Sequence, residues 1–361
     1  MSFGNLGSDW SRVDRRKKEG LLCNRQTCGC DTCPARTLCA GPNPRCDARF
    51  CGQECGSCRA VCNRHIARDD MIESTDGFEF DHIKWNPFDL GDLPPVMFQM
   101  NTPIKRPTTA RGFIINVRKI FYGEDSKGDS LNWSPQKYLR TRFNLPLDSQ
   151  IAITFTSPDE VVDYLGMDLE KTCDEVAKFN VNWVFGINFS IYENYPSFDA
   201  LYNLKRRFLS LQMLQDRGVN VVPDIGWLSH KDRARVFGWL RDNGVRYMAR
   251  NYQTVAAKAG TGTWDIFLKE LEYIRKNFPD VHLFLHGCSG RKRIESIRAN
   301  IGGGVTFIDA KSQRLAEFHK DVYLNVDRDI HVDDLFEKNT VTLTEWAGGL
   351  DGNIGKSGRR S

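Results

Sequence analysis

Between residues 111 and 320, short apolar runs alternate with longer stretches of helical spacing. The runs are rich in Val, Ile and Phe, which is typical of strands buried on both faces. Seven such strands are predicted, at residues 112–117, 151–155, 183–187, 219–225, 245–249, 281–285 and 305–309. Helices are predicted between them, at residues 159–179, 198–217, 230–243, 264–278 and 291–300.

This alternation implies right-handed crossovers and a parallel sheet. Seven strands, or eight when Val96–Met100 is included, fit a closed barrel better than an open, doubly wound sheet. No Gly-rich phosphate-binding fingerprint follows any of the runs, which argues against a dinucleotide-binding fold. We therefore predict an α/β protein, a (β/α)8 TIM-like barrel with an N-terminal Cys-rich metal-binding module.

Four regions are expected along the chain. Residues 1–68 form a basic Cys-rich metal-binding module, and residues 69–110 form a connector whose prolines argue against long helices. Residues 111–320 form the TIM-like catalytic barrel. Residues 321–361 form a C-terminal extension that we expect to be partly flexible beyond residue 348.

The N-terminal module is defined by its cysteines. Ten of the twelve cysteines fall between Cys23 and Cys62, and His65 follows closely. The first twenty residues carry five Lys/Arg and no apolar run, so we expect no secretory signal and a cytoplasmic location (the host cytoplasm if the chain is phage-encoded). In a reducing compartment, clustered cysteines are typical of metal sites rather than disulfides.

Zinc is the first expectation for this module, because its side chains supply enough ligands for two tetrahedral sites. An iron–sulfur cluster is the alternative, since Cys51, Cys55 and Cys58 have the spacing of the radical S-adenosylmethionine motif. Disulfides are a third interpretation, and no unique pairing follows from the spacing. The candidate metal ligands are Cys28, Cys30, Cys33, Cys51, Cys55, Cys58, Cys62 and His65.

The positive charge of the chain is concentrated in the same module. Residues 1–68 contain twelve Lys/Arg and six Asp/Glu and carry +6, whereas the rest has 38 basic and 40 acidic residues and carries −2. A basic module suits a polyanion such as nucleic acid, although basic residues also keep a metal-binding module soluble. No stretch approaches the roughly 18 apolar residues of a membrane span, so no membrane partner is expected.

The C-terminal ends of the predicted strands carry the candidate chemistry, because active sites of (β/α)8 barrels lie there. Each residue has a structural alternative: Asp224 could cap a helix, Asp309 could pair with Lys311, and His286 could be a core histidine. Together they indicate a polar mouth with carboxylates, an imidazole, amides and cations. The candidates are Asn188, Ser190, Asp224, Gly226, Trp227, Arg250, Asn251, Gln253, His286, Gly287, Cys288, Ser289, Asp309 and Lys311.

The segment HLFLHGCSGRKRIESIRANIGGGVTFIDAKS (residues 282–312) resembles the last two strand–helix units of the tRNA-guanine transglycosylase superfamily. The nearest branch is the phage group that inserts 7-deazaguanines into DNA. The resemblance implies that Asp309 is the nucleophile at the ribose C1′ and that Asp224 protonates the leaving guanine. By strand order, the resemblance makes Asn188, Asp224 and Asn251 the counterparts of the residues that recognise the deazaguanine base in that family. The candidate substrate-binding residues are Asn188 and Asn251, together with His286, Gly287 and Ser289 from the next strand end.

The sequence departs from this family in two places. The family's Asp-Ser-Gly-Gly-Phe signature is absent, and Asp159 is the nearest counterpart by strand order. The family's zinc motif, Cys-x-Cys-x2-Cys with a distant His, lies late in the chain, whereas Cys28, Cys30, Cys33 and His65 lie early. The segments GINFSIYENYPSFDALYNLKRRF and VNVVPDIGW also resemble an uncharacterised phage and bacterial domain family.

We expect a base-exchange transglycosylase that replaces guanine in DNA, or in tRNA, by a 7-deazaguanine through a covalent Asp–C1′ intermediate. Nucleic acid, DNA more than tRNA, and a free 7-deazaguanine base are the expected partners. Two alternatives stay open. One is a non-catalytic, metal-stabilised nucleic-acid-binding protein, and the other is a radical S-adenosylmethionine enzyme with an iron–sulfur cluster.

Overall fold

The computed structural model describes residues 68–121, 138–191, 197–227, 229–252 and 263–348. All predicted metal ligands lie in residues 1–67, outside the described residues, and so does Gln253. Within the described ranges, none of the helices combines the length and the apolar character needed to cross a membrane.

Eight parallel strands form one sheet, in the order β5-β4-β3-β2-β1-β8-β7-β6. The two outer strands of this order meet through a bridge between Asp224 and Ala249. The Ala249 amide donates to the Pro223 carbonyl across 2.8 Å, and the Ile225 amide donates to the Ala249 carbonyl across 3.0 Å. The sheet is therefore a nearly closed barrel, and the prediction of a (β/α)8 fold is confirmed. The strands are β1 Val96–Met100, β2 Gly112–Asn116, β3 Gln150–Thr154, β4 Trp183–Phe185, β5 Val221–Val222, β6 Tyr247–Asn251, β7 His282–His286 and β8 Val305–Asp309.

Helices surround the barrel and connect most of its strands. The predicted helix at residues 159–179 is two helices, because the first ends at Gly166 and the Asp168 carboxylate caps the next by accepting from the Lys171 amide. The described helices are α1 Arg68–Thr75, α2 Val117–Phe121, α3 Leu139–Phe143, α4 Asp159–Gly166, α5 Leu169–Val176, α6 Ser197–Gln215, α7 His230–Asp242, α8 Thr263–Asn277, α9 Arg291–Ile301, α10 Ser312–Glu317 and α11 Val332–Gly348.

The barrel begins before residue 111. Strand β1 lies inside the range predicted as a connector, and it pairs with both β2 and β8. Residues 101–111 carry no helix, and α11 from the predicted C-terminal extension packs against β1 instead. Phe98 of β1 meets Phe336 of α11 edge to face, with ring centroids 6.1 Å apart. The extension therefore completes the outer layer of the barrel as far as residue 348.

The barrel interior, here called the lumen, is filled by alternate residues of the strands. Trp183, Phe185 and Phe284 pack there with ring centroids 5.2–6.3 Å apart. The other face of each strand packs against the helices in a larger core. The buried lumen residues are Met97, Ile114, Ala152, Trp183, Phe185, Val222, Tyr247, Ala249, Phe284 and Ile308.

The segment before β1 closes the N-terminal end of the lumen. Phe88, Leu90 and Leu93 pack against the lumen cluster. The Tyr247 hydroxyl, at the start of β6, accepts from the Leu90 amide across 3.1 Å and donates to Asp89. The opposite end, formed by the C-terminal ends of the strands and here called the mouth, is where barrel enzymes place their active sites.

Candidate active site at the mouth of the barrel

Strand register places three predicted site residues on the lumen side. Asn251 and His286 are register partners, and His286 pairs with the lumen residue Ile308. Asp224 is paired with Ala249, which also lies in the lumen cluster. Since partners in adjacent strands share a face of the sheet, these three polar residues face inward near the mouth. They form a polar layer above the apolar lumen core.

His286 is the most deeply buried ionisable group of this layer. Its side chain is 4% exposed, and among the described residues its Nε2 atom has no hydrogen-bond partner. The ring meets Phe185 edge to face, with centroids 5.3 Å apart. Burial lowers the pKa of His286 to about 3. The imidazole is therefore neutral at pH 7 and offers a hydrogen-bonding nitrogen without a charge.

The Asp224 carboxyl has no hydrogen-bond donor among the described side chains and amides. The residue is 8% exposed, and burial raises the pKa of its carboxyl to about 6, while the nearby cations of Arg207 and Arg250 act in the opposite direction. A carboxyl of this kind can hold or release a proton near neutral pH. Asp224 thus combines a titration range suited to catalysis with an unused hydrogen-bonding capacity.

Arg207 of α6 joins the ends of β4 and β5, a role that the sequence did not reveal. Its Nε donates to the Phe189 carbonyl across 2.8 Å, and its Nη2 donates to the Asn188 Oδ1 across 2.5 Å. Its Nη1 lies 3.5 Å from the Asp224 carbonyl oxygen. The only signal in the sequence was a cation on the apolar face of α6, next to Leu204 and Phe208.

Arg250 lies on the helix side of β6 rather than in the lumen. Its Nη2 forms an ion pair with Glu270 of α8 across 2.7 Å, and its guanidinium lies 4.8 Å from the centre of the Trp227 ring. Its Nη1 donates to the Ile225 carbonyl across 3.3 Å. The two cations near Asp224 therefore lie outside the lumen layer: Arg207 extends from α6, and Arg250 is paired with α8. Among the described residues, the lumen layer itself carries no cation.

Asp309 occupies a different place from the one that the predicted nucleophile requires. Its register partner is Phe98, which belongs to the outer core, so Asp309 faces the helices. The residue is 3% exposed, and its Oδ1 accepts from the Ser289 hydroxyl across 2.6 Å. Its Oδ2 accepts from the Ser312 and Lys311 amides across 2.7 and 3.3 Å. This geometry ties the β7 and β8 ends together and does not support nucleophilic attack from the lumen.

The remaining predicted residues are mostly structural. Gly287 adopts φ +77°, which only glycine adopts without strain, and its carbonyl accepts from Arg293 across 2.9 Å. Cys288 is fully buried, and burial raises the pKa of its thiol, so it is not an activated nucleophile. Asp159 accepts from the Ser190 hydroxyl across 2.6 Å at the start of α4. It does not share the lumen layer with Asp224.

The cavity beside Asp224 is too small for a substrate. It measures about 10 Å³, room for a single water molecule, and lies between α6 and the ends of β4 and β5. Within the described ranges no cluster of three His, Cys, Asp or Glu side chains could hold a metal ion.

No model of a known protein family matches the chain, and a search of curated proteins likewise found no match. The transglycosylase resemblance therefore rests only on the sequence segments quoted above, and the fold rests on the strand order and the bridge between Asp224 and Ala249.

Proposed function

We propose that the chain is an enzyme that exchanges a nucleobase at C1′ of a nucleic acid, with Asp224 as the proton-transfer group at the mouth of the barrel. The observation that carries the proposal is the position of the Asp224 carboxyl, which is buried on the lumen side beside β6 and has no hydrogen-bond donor among the described residues. Burial raises the pKa of this carboxyl to about 6. Asp224 was the expected acid of the base-exchange reaction, and its surroundings suit that role.

One carboxyl is sufficient for the proton balance of an exchange. The protonated Asp224 donates its proton to the departing base as the C1′–N bond breaks, which leaves an oxocarbenium-like centre on the sugar. The resulting carboxylate stabilises that positive charge. The incoming base then forms the new C1′–N bond and returns its N–H proton to Asp224. The reaction needs neither a further acid nor an oxidant, and it ends with Asp224 protonated again.

The lumen layer suits an uncharged ring rather than a phosphate. Neutral His286 and the Asn251 amide can hydrogen-bond a heterocycle, and Phe185 adds an aromatic surface. Arg207 and Arg250, which would attract a phosphate, are held outside the layer. The base therefore enters the mouth, while the phosphates stay outside, as base flipping requires.

The covalent Asp309–C1′ intermediate has no geometric support in the described arrangement, because both carboxylate oxygens of Asp309 already accept hydrogen bonds. We therefore assign the chemistry to Asp224 and the joining of β7 to β8 to Asp309. The distinction is testable, because the two carboxylates predict opposite results on mutation.

The N-terminal module is the proposed nucleic-acid-binding part of the chain. Its formal charge of +6 suits phosphate contacts whose affinity falls steeply with salt, and DNA remains the favoured polymer over tRNA. A chain that binds DNA in this way but exchanges no base would be the non-catalytic nucleic-acid-binding protein of the alternative interpretation.

Incorporation of labelled guanine and of a labelled 7-deazaguanine into DNA and into tRNA tests the proposal with the full chain. We expect incorporation by the parent, loss of at least about a hundredfold in Asp224→Asn, typical for a lost acid–base group, and activity in Asp309→Asn where it folds. DNA binding should be the same in all three. No incorporation into either polymer by the parent, or full activity of Asp224→Asn, would overturn the assignment.

Metal analysis separates the interpretations of the N-terminal module. Elemental analysis of protein purified without oxygen is expected to give about two zinc ions per chain and no visible absorption, consistent with the supply of ligands. Iron with sulfide and a brown colour would instead favour the radical S-adenosylmethionine enzyme.

A further inference from the structure

Arg207 is a buried cation that contacts no carboxylate of the described residues. Burial lowers the pKa of its guanidinium to about 10, and no ion pair joins it to an acid among the described residues. Taking a charge out of water costs several kcal/mol unless hydrogen bonds and a nearby counter-charge compensate. Arg207 donates hydrogen bonds to the Phe189 and Asn188 oxygens, and Asp224 is the nearby acid whose negative charge favours the charged guanidinium.

Two glycines make room for this arginine and its neighbours. A Cβ atom at Gly226 would lie 2.6 Å from Arg207 Nη1, closer than real contacts allow. A Cβ atom at Gly186 would lie 2.8 Å from Leu211 Cδ2 and 3.4 Å from the Asp224 amide nitrogen. Neither glycine has a positive φ, so space and not backbone conformation requires them. The chain is thus shaped to bring the guanidinium against the β5 end.

The guanidinium also determines how Asn188 can act. Because the Asn188 Oδ1 accepts from Arg207, its amide NH2 group is left without a described partner. Asn188 therefore offers a ligand at the mouth its NH2 group as a donor, while Arg207 already occupies one of the two lone pairs of its Oδ1. Arginine is suited to this task, since its planar fork holds several acceptors in fixed directions and a lysine cannot.

We propose that Arg207 is a positioning residue of the mouth: it holds the Asn188 amide and the β5 end in one arrangement and keeps a fixed positive charge beside Asp224. Its catalytic consequence rests on the proposed function, whereas its effect on Asp224 does not. Among the described residues, the other charged or titratable groups around Asp224 are Arg250 of β6 with its partner Glu270 of α8, and the neutral His286 of β7.

The test is a carboxyl titration of the full chain labelled with [γ-13C]aspartate, in which the Asp224 signal is identified by its absence from Asp224→Asn. Arg207→Gln is expected to raise the pKa of Asp224, because the cation that favours the carboxylate is gone. Arg207→Lys keeps the charge and should leave the titration close to that of the parent. Arg206→Gln is the matched control. Arg206 is the neighbouring arginine, bonded to Asp163 and Asn203, and its loss should not move the signal.

Base exchange provides the second readout. Arg207→Lys should exchange bases more slowly than the parent and with a raised KM, because the lysine cannot hold Asn188 and the β5 end together. An unshifted Asp224 signal in folded Arg207→Gln overturns the inference. Exchange at the parent rate by Arg207→Lys overturns the positioning of Asn188 and the β5 end by Arg207. If Arg207→Gln does not fold, this result alone overturns the inference. The titration does not require enzymatic turnover. If the parent shows no exchange activity, the proposed function is refuted, and the titration still tests the effect of Arg207 on Asp224.

Discussion

Ser289 donates its hydroxyl hydrogen to the Asp309 Oδ1 across 2.6 Å, joining the loop after β7 to the end of β8. The other oxygen of Asp309 accepts hydrogen bonds from the backbone amides of Lys311, which precedes α10, and of Ser312, its first residue. With these three donors, the Asp309 side chain holds two neighbouring strand ends and a helix start in place. The bond therefore belongs to the framework of the mouth.

Removing this bond should lower stability. Asp309→Ala is expected to reduce the free energy of unfolding by about 2–4 kcal/mol, because two backbone amides and the Ser289 hydroxyl lose their acceptor in a buried place. Ser289→Ala removes one donor and should cost about 1–2 kcal/mol. Urea unfolding followed by circular dichroism measures both. A normally stable Asp309→Ala that has lost base exchange would restore Asp309 as the nucleophile.

Asp224→Asn should raise the stability of the chain, in contrast to Asp309→Ala, and the gain should depend on pH. Burial raises the pKa of Asp224 from 3.8 to about 6, so the folded chain holds this proton more tightly than the unfolded chain. The stability of the parent therefore falls as the pH rises from about 4 to 6, by at most about 3 kcal/mol from this group. The asparagine of the variant does not ionise and avoids that loss.

The comparison of unfolding midpoints in urea between pH 4 and pH 8 tests this sign. The variant should approach the parent near pH 4 and exceed it in stability above pH 6. A difference that stays constant across this range would mean that Asp224 is not buried as an acid.

The barrel was predictable because parallel strands buried on both faces leave continuous apolar runs. The same feature hid the direction of Asp309: in VTFID every residue is buried, so no alternation shows which side chains face the lumen. Strand β1 was foreseen at Val96–Met100 only as an optional eighth strand within the connector, because prolines lie on either side of it. Asp224, Asn251 and His286 were found because polar residues at strand ends stand out from the apolar runs that precede them.

The role of Arg207 could not be predicted for a different reason. An arginine on an apolar helix face usually extends its stem along the surface and keeps its charge in water. Only the three-dimensional approach of α6 to the β4 and β5 ends shows that the guanidinium is buried. Its acceptors, the Phe189 carbonyl and the Asn188 side chain, lie 18 and 19 residues away along the chain.

Gly226 offers a test of the close packing around Arg207. Gly226→Ala should destabilise the chain by about 1–3 kcal/mol, because the new methyl group would displace a guanidinium held by hydrogen bonds. Gly238→Ala is the matched control. Gly238 lies inside α7 with no atom within 4 Å of an added Cβ, so the change should stabilise by about 0.5–1 kcal/mol. Urea unfolding of the two variants should therefore give shifts of opposite sign, and equal shifts would contradict the packing described here.

His286→Phe should remove a source of acid sensitivity without a loss of stability at pH 7. Burial lowers the pKa of His286 from 6.5 to about 3, so the unfolded chain takes up this proton first and the parent loses stability as the pH falls below about 6.5. Phenylalanine cannot take up the proton, keeps the edge contact with Phe185 and leaves no buried Nε2 atom without a partner.

His282→Phe is the matched control for this variant. Burial also lowers the pKa of His282, to about 4, but its Nε2 shares a 2.9 Å hydrogen bond with the Thr306 hydroxyl. Its replacement should therefore cost about 1 kcal/mol at pH 7, whereas His286→Phe should not. Both variants should lose less stability than the parent between pH 6.5 and pH 4, as measured by urea unfolding. If His286→Phe is instead the less stable of the two at pH 7, then His286 is a structural residue of the core, and the lumen layer loses its main candidate for ligand recognition.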